Sequence, residues 1–174
     1  MNEAPRRALT PVSLGIVIGT FCILFSICMG LIAGKVFGVY GNIHYLILVI
    51  VLIFSTLWYG RSQSYTRSFG DLFAYGFKAT AIIALLSIAY LMIYFLIFPE
   101  VRDILLAEGR TQMLADKVDQ RKVDETMELT RSRFWLLIFA TTMFLIVLSG
   151  AVGSLIGALI TRKTNVNAYR NLNT

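Results

Sequence analysis

The stretch GDLFAYGFKATAIIALLSIAYLMIYFLIFPE, from Gly70 to Glu100, sets an acid, Asp71, and a base, Lys78, into an otherwise apolar run. A charge inside a segment of membrane-spanning length is costly and by default marks function. Seven residues is close to two helical turns, so the two share a face about 10 Å apart along the axis. Two readings stand. In one, Asp71 sits at a membrane surface, Lys78 snorkels its ammonium back to the headgroups, and the two attract each other as anchors. In the other they form a polar site for a lipid phosphate or a transported ion, with Arg61 and Arg67 of the neighbouring basic segment at hand.

Other reactive side chains are sparse. Cys22 and Cys28 lie six residues apart in one apolar run, about 240° apart on a helix, so they cannot bridge within it and read as small packing residues. His44 has no companion His, Cys or acidic cluster, which argues against a metal site. No G-x-S-x-G, H-E-x-x-H, Walker loop or D-x-D occurs. Ser26, Ser55, Thr56, Thr80, Ser87, Thr141, Thr142 and Ser149 lack acidic or His partners at usable spacing, and such hydroxyls usually bond to their own or a neighbouring helix. The expectation is a protein that is not an enzyme and carries no cofactor.

The elements that hold these residues follow from composition. The chain has 174 residues, 57% of them hydrophobic and 15% charged, against about 45 to 50% and 25% in soluble domains. The excess falls into four runs, Val12 to Phe37, Ile43 to Tyr59, Phe69 to Phe98 and Phe134 to Ile160. Each approaches or exceeds the roughly 17 to 25 residues that cross a bilayer. The fold class expected is all-α: a polytopic membrane protein of four transmembrane helices in a single bundle over residues 1–174, with an amphipathic helical segment between spans three and four.

Small residues suggest how the spans pack. Gly30, Gly34 and Gly38 repeat every four residues in run one, joined by Gly15 and Gly19, and run four carries Gly150, Gly153 and Gly157. This spacing lets helix backbones approach closely in lipid, either within the bundle or against another subunit or copy of the chain. GVYGNIH, residues 38–44, reads as a short connection, and GRSQSYTRSFGD, residues 60–71, as a tight basic hairpin. Trp58, Tyr59, Tyr65, Phe69 and Tyr75 around it make an aromatic belt.

Residues 99–133 are too long for a structureless loop. Val101, Ile104, Leu105, Met113, Leu114, Val118, Val123 and Met127 form an irregular apolar stripe, with Gly109 as the expected break between one short helix and one longer one, lying on the membrane or capping the bundle. The segment holds seven basic and eight acidic residues, either a solvated salt-laced face or a docking surface.

The formal net charge of +6 does not point to nucleic acid, because the basic residues stand at span ends, where they meet anionic headgroups. Arg6, Arg7, Arg61, Arg67, Arg162, Lys163 and Arg170 sit in short segments with almost no acidic offset, which favours both termini in the cytoplasm. Lys35 and the third connection carry eight positive charges on the other side against these seven, so the count alone leaves orientation open. The first run is too long for a signal-peptide core, and no A-x-A site follows it.

LWYGRSQSYTRSFGDLFAYGFKATAIIALLSIAYLMIYFLIFPE and the closing GSLIGALITRK give the chain a resemblance to the family labelled domain of unknown function 4199, small four-span proteins found mainly in Bacteroidetes. The resemblance implies a bacterial inner membrane and brings no catalytic residues. It also hints at a neighbouring polyprenyl-phosphate glycosyltransferase as a partner. The function expected is an accessory or scaffolding subunit docking a larger membrane enzyme or complex; the alternative is a small lipid or ion carrier using Lys78 and Asp71.

Overall fold

A computed structural model describes residues 9–33, 39–63 and 66–172, and the side chains of 9–28, 43–63 and 66–161. Its element order is α1 (Pro11–Ala33), α2 (Val39–Ser62), α3 (Phe69–Ile97), α4 (Glu100–Ala115), α5 (Gln120–Ser132) and α6 (Phe134–Leu172). Helices α1, α2, α3 and α6 each contain a stretch long and apolar enough to cross a membrane. No strand occurs among the described residues.

Local chemistry starts these helices. Thr10 precedes Pro11, whose fixed φ suits a first helical position, and the Thr10 hydroxyl accepts a bond from the Ser13 amide at 3.2 Å. The stretch 38–44, expected as a connection, is helical from Val39 onward. Glycine and asparagine do not end the helix there, because each costs a helix only about 1 kcal/mol or less.

The chain forms two compact units, Met1–Ser87 with Leu145–Thr174, and Ile88–Phe144; α3 and α6 contribute residues to both. In the first unit, Leu14 and Ile18 of α1, Leu48 and Leu52 of α2, Tyr75, Ala79 and Ile83 of α3, and Ile146 of α6 form a buried cluster. The i, i+4 spacing within each helix places these side chains on one face.

The second unit is built around an αα-hairpin. Helix α4 runs straight through Gly109 and ends six residues later than that expected break, and at 16 residues it is the longer of the pair, α5 having 13. A mid-helix glycine costs only about 1 kcal/mol. The chain breaks instead where Lys117 adopts φ 60°, with Val118 N–H donating to Met113 O and Lys117 N–H to Leu114 O, both at 3.1 Å. That is the paired bonding of a Schellman end. Asp119 then caps α5 by accepting from the Arg121 amide at 2.9 Å.

The apolar stripe of this segment is only partly covered. Val123 is fully buried and Val101, Leu105, Leu106, Met113, Val118 and Met127 are half-buried, while Ile104 and Leu114 are exposed. Where the arms leave the hairpin, Phe95 meets Phe134 and Trp135 edge-on at 5.4 and 5.6 Å. Arg102 stacks over the Phe134 ring at 5.4 Å and donates to Arg131 O at 3.0 Å.

Candidate functional site

The acid and base in span three have separate environments. Ser68 and Asp71 form a reciprocal cap: the Asp71 amide donates to the Ser68 hydroxyl oxygen at 3.2 Å, and the Asp71 carboxylate accepts from the Ser68 amide at 3.3 Å and from its hydroxyl at 2.9 Å. This arrangement satisfies donors that the first turn of α3 would leave orphaned. S-x-x-D ahead of an apolar run is a sequence signature of that box, so the role of Asp71 was readable from Ser68, three residues before it.

Lys78 lies exposed two turns further along α3. The salt bridges among the described residues are Arg110–Asp124 and Arg121–Glu125, so no ion pair joins Asp71 to Lys78. Arg67 is exposed and donates to the Gln63 side-chain oxygen at 3.4 Å, and Arg61 is exposed at the end of α2. Of the expected aromatic belt, Tyr59 and Tyr75 stack with ring centroids 3.9 Å apart. The Tyr75 hydroxyl donates to Leu9 O at 3.1 Å, tying the approach to α1 onto α3.

The glycines meet neighbouring helices inside the first unit. A Cβ on Gly15 would stand 2.8 Å from Ala79 O, and one on Gly19 2.8 Å from a Leu86 methyl. A Cβ on Gly153 would stand 2.9 Å from Val49 O, on Gly157 2.8 Å from Thr56 Cβ, and on Gly150 against Thr80. Gly34 and Gly38 lie outside the described residues, as do Arg6, Arg7, Lys35 and Tyr65. Gly30 falls within α1, and Arg162, Lys163 and Arg170 within α6, but their surroundings lie outside the described side chains.

A buried polar crossing joins this packing. Thr56 of α2, Thr80 of α3, and Ser154 and Thr161 of α6 are all buried. Thr80 donates to Gly76 O at 3.0 Å and Thr161 to Gly157 O at 2.7 Å, four residues back on their own helices. Among the described residues, the hydroxyls of Thr56 and Ser154 have no hydrogen-bond partner. Both crowd the place a side chain on Gly76 would occupy, where Cα–H groups offer weak contacts to oxygen. Gly76, Ser154 and Thr161 escape a search for repeated glycines alone. The wider small-xxx-small pattern finds them as Thr56/Gly60, Gly76/Thr80, Gly150/Ser154 and Gly157/Thr161.

In the second unit, an open cleft of about 530 Å³ runs between α4 and α5. Leu106, Ala107 and Met127 form its apolar part. Arg110 and Asp124 face each other across it at 2.6 Å, both about half exposed, and Asp103, Glu128 and Arg131 add charge at its edges. Among the described residues, no three His, Cys, Asp or Glu side chains gather as metal ligands would. Cys22 is a buried free thiol and Cys28 an exposed one.

The arrangement therefore offers close-packed helices, a buried pair of hydroxyls, a lone cation on a span and a charged hairpin cleft. Comparison with known proteins gives one result: the model of the family described as "Protein of unknown function (DUF4199)" matches residues 13–163. No curated protein and no solved structure matches the chain.

Proposed function

The chain belongs to this family of unknown function, which brings no activity with it, and we propose that it is a non-enzymatic accessory or scaffolding subunit of a bacterial inner membrane. In this reading the four spans anchor the protein, both termini face the cytoplasm, and the α4–α5 hairpin docks a larger membrane enzyme or complex. The observation that carries the reading is the hairpin itself. Across α4 and α5 only Val123 is buried, yet both helices end in specific caps. A well-defined element with so little covered surface is suited to complete its burial against another protein.

A glycosyltransferase acting on a polyprenyl phosphate is the partner class suggested by the resemblance of the sequence. A carrier role would have to rest on Lys78, since the Asp71 carboxylate is engaged with Ser68. The test is affinity purification of the full chain in mild detergent, with mass spectrometry of co-purifying proteins and lipids, repeated with Ile104→Asp and Leu129→Asp on the exposed hairpin surface. A stoichiometric membrane enzyme that is retained by the unaltered chain and lost with either substitution is the expected result. Recovery of the chain alone, or of a homo-oligomer with only lipid bound, would sink the subunit reading.

A further inference from the structure

We propose that Lys78 binds the phosphate of an anionic membrane lipid. This inference does not depend on the docking role of the hairpin; it starts from the search for a counter-ion. Asp71 is the one acid between Glu3 and Glu100, and its carboxylate already accepts the Ser68 amide and hydroxyl. No salt bridge among the described residues reaches Lys78, whose side chain is exposed on α3. An ionised amine on a span needs an anion or water. Among the described residues, no acid pairs with Lys78.

The depth of Lys78 fits a headgroup. Helix α3 has 29 residues and is about 43 Å long, some 13 Å more than the roughly 30 Å hydrocarbon core. Its polar end is the N-terminal one, where Arg67, Ser68 and Asp71 cluster, whereas its last turn contains Phe95, Leu96 and Ile97. With the overhang at the N-terminal end, Lys78, nine residues after Phe69, stands about 13 Å along the axis, at the boundary between headgroup and acyl chain. Side chains on a helix lean toward its N-terminus, so the Lys78 stem points back toward the headgroups.

The surroundings select a lipid over a free anion. Ala81 and Leu85 follow Lys78 on the same face three and seven residues on and are exposed, with Leu85 62% exposed, and Phe77 beside it is also exposed. A lipid can place its phosphate on the ammonium and its acyl chain along this apolar surface. A free phosphate would gain only the charge contact.

The experiment is native mass spectrometry of the full chain with phosphatidylglycerol or phosphatidylcholine in mixed micelles. The expected result is preferential retention of phosphatidylglycerol, reduced about five-fold by Lys78→Gln, the effect of one basic residue at an anionic surface. Retention should persist in Lys78→Arg and in Asp71→Asn. Where Lys78→Gln impairs folding, Lys78→Met keeps an aliphatic stem and serves instead. Unchanged phosphatidylglycerol retention on loss of the Lys78 charge would overturn the proposal. So would equal retention of both lipids by the unaltered protein, a loss produced by Arg67→Gln but not by Lys78→Gln, or full displacement by inorganic phosphate.

Discussion

The unit of residues 1–87 and 145–174 carries nine Lys and Arg against two acids, while that of residues 88–144 carries seven against eight. The net positive charge of the chain thus belongs to the first unit. The same contrast appears in the glycines. Gly76, Gly150, Gly153 and Gly157 are pressed against atoms of neighbouring helices, whereas the nearest atom to a side chain on Gly109 would be the Met127 methyl at 3.9 Å. The first unit is held by backbone approach between helices, which is how apolar helices associate where lipid removes the hydrophobic drive. The hairpin is held by its caps, a cross-arm ion pair, the Arg102 hydrogen bond to Arg131 O and one buried valine, the means of a helix pair in contact with water.

The largest expected effect tests the tight side of this contrast. Gly150→Leu forces a side chain into Thr80 and should destabilise the first unit by about 3 kcal/mol through overpacking. The measurement is unfolding in mixed micelles, with hydrogen exchange of α4 and α5 followed alongside. Equal loss of protection in both units would remove the distinction between them.

Val123→Ala attacks the other side. Removing buried methyl groups from a site with no exposure should cost about 2 kcal/mol, seen as faster hydrogen exchange across α4 and α5 while the amides of α1 and α2 keep their protection. Spread of the effect into α1 and α2 would show that the hairpin is not maintained locally.

Asp71→Ala removes the carboxylate half of the Ser68 box and should cost about 1 kcal/mol, read as fraying of the first turn of α3, with Asn at the same position restoring most of it. A catalytic or transport role for this carboxylate predicts the reverse, a loss of function in Asn as large as that in Ala. The smallest effect is a gain: Gly109→Ala, whose new methyl would meet only the Met127 methyl in ordinary contact at 3.9 Å, should stabilise α4 by up to about 1 kcal/mol. Destabilisation there would mean that Gly109 is packed as tightly as the glycines of the first unit.

The sequence by itself determined the four apolar helices, since length and hydropathy are properties of a segment and need no partner. It also contained the cap at Ser68 and Asp71, because capping is local. The hairpin break was less legible. It falls at Lys117, a non-glycine residue at positive φ, and rests on bonds to carbonyls three and five residues back rather than on a breaker residue. Only the tertiary structure decided which small residues face which helix. The spans are apolar on nearly every side, so hydropathy marks no inward face, and the choice falls to which backbones can approach. The unpartnered hydroxyls of Thr56 and Ser154 are visible for the same reason only once α2, α3 and α6 are brought together at Gly76.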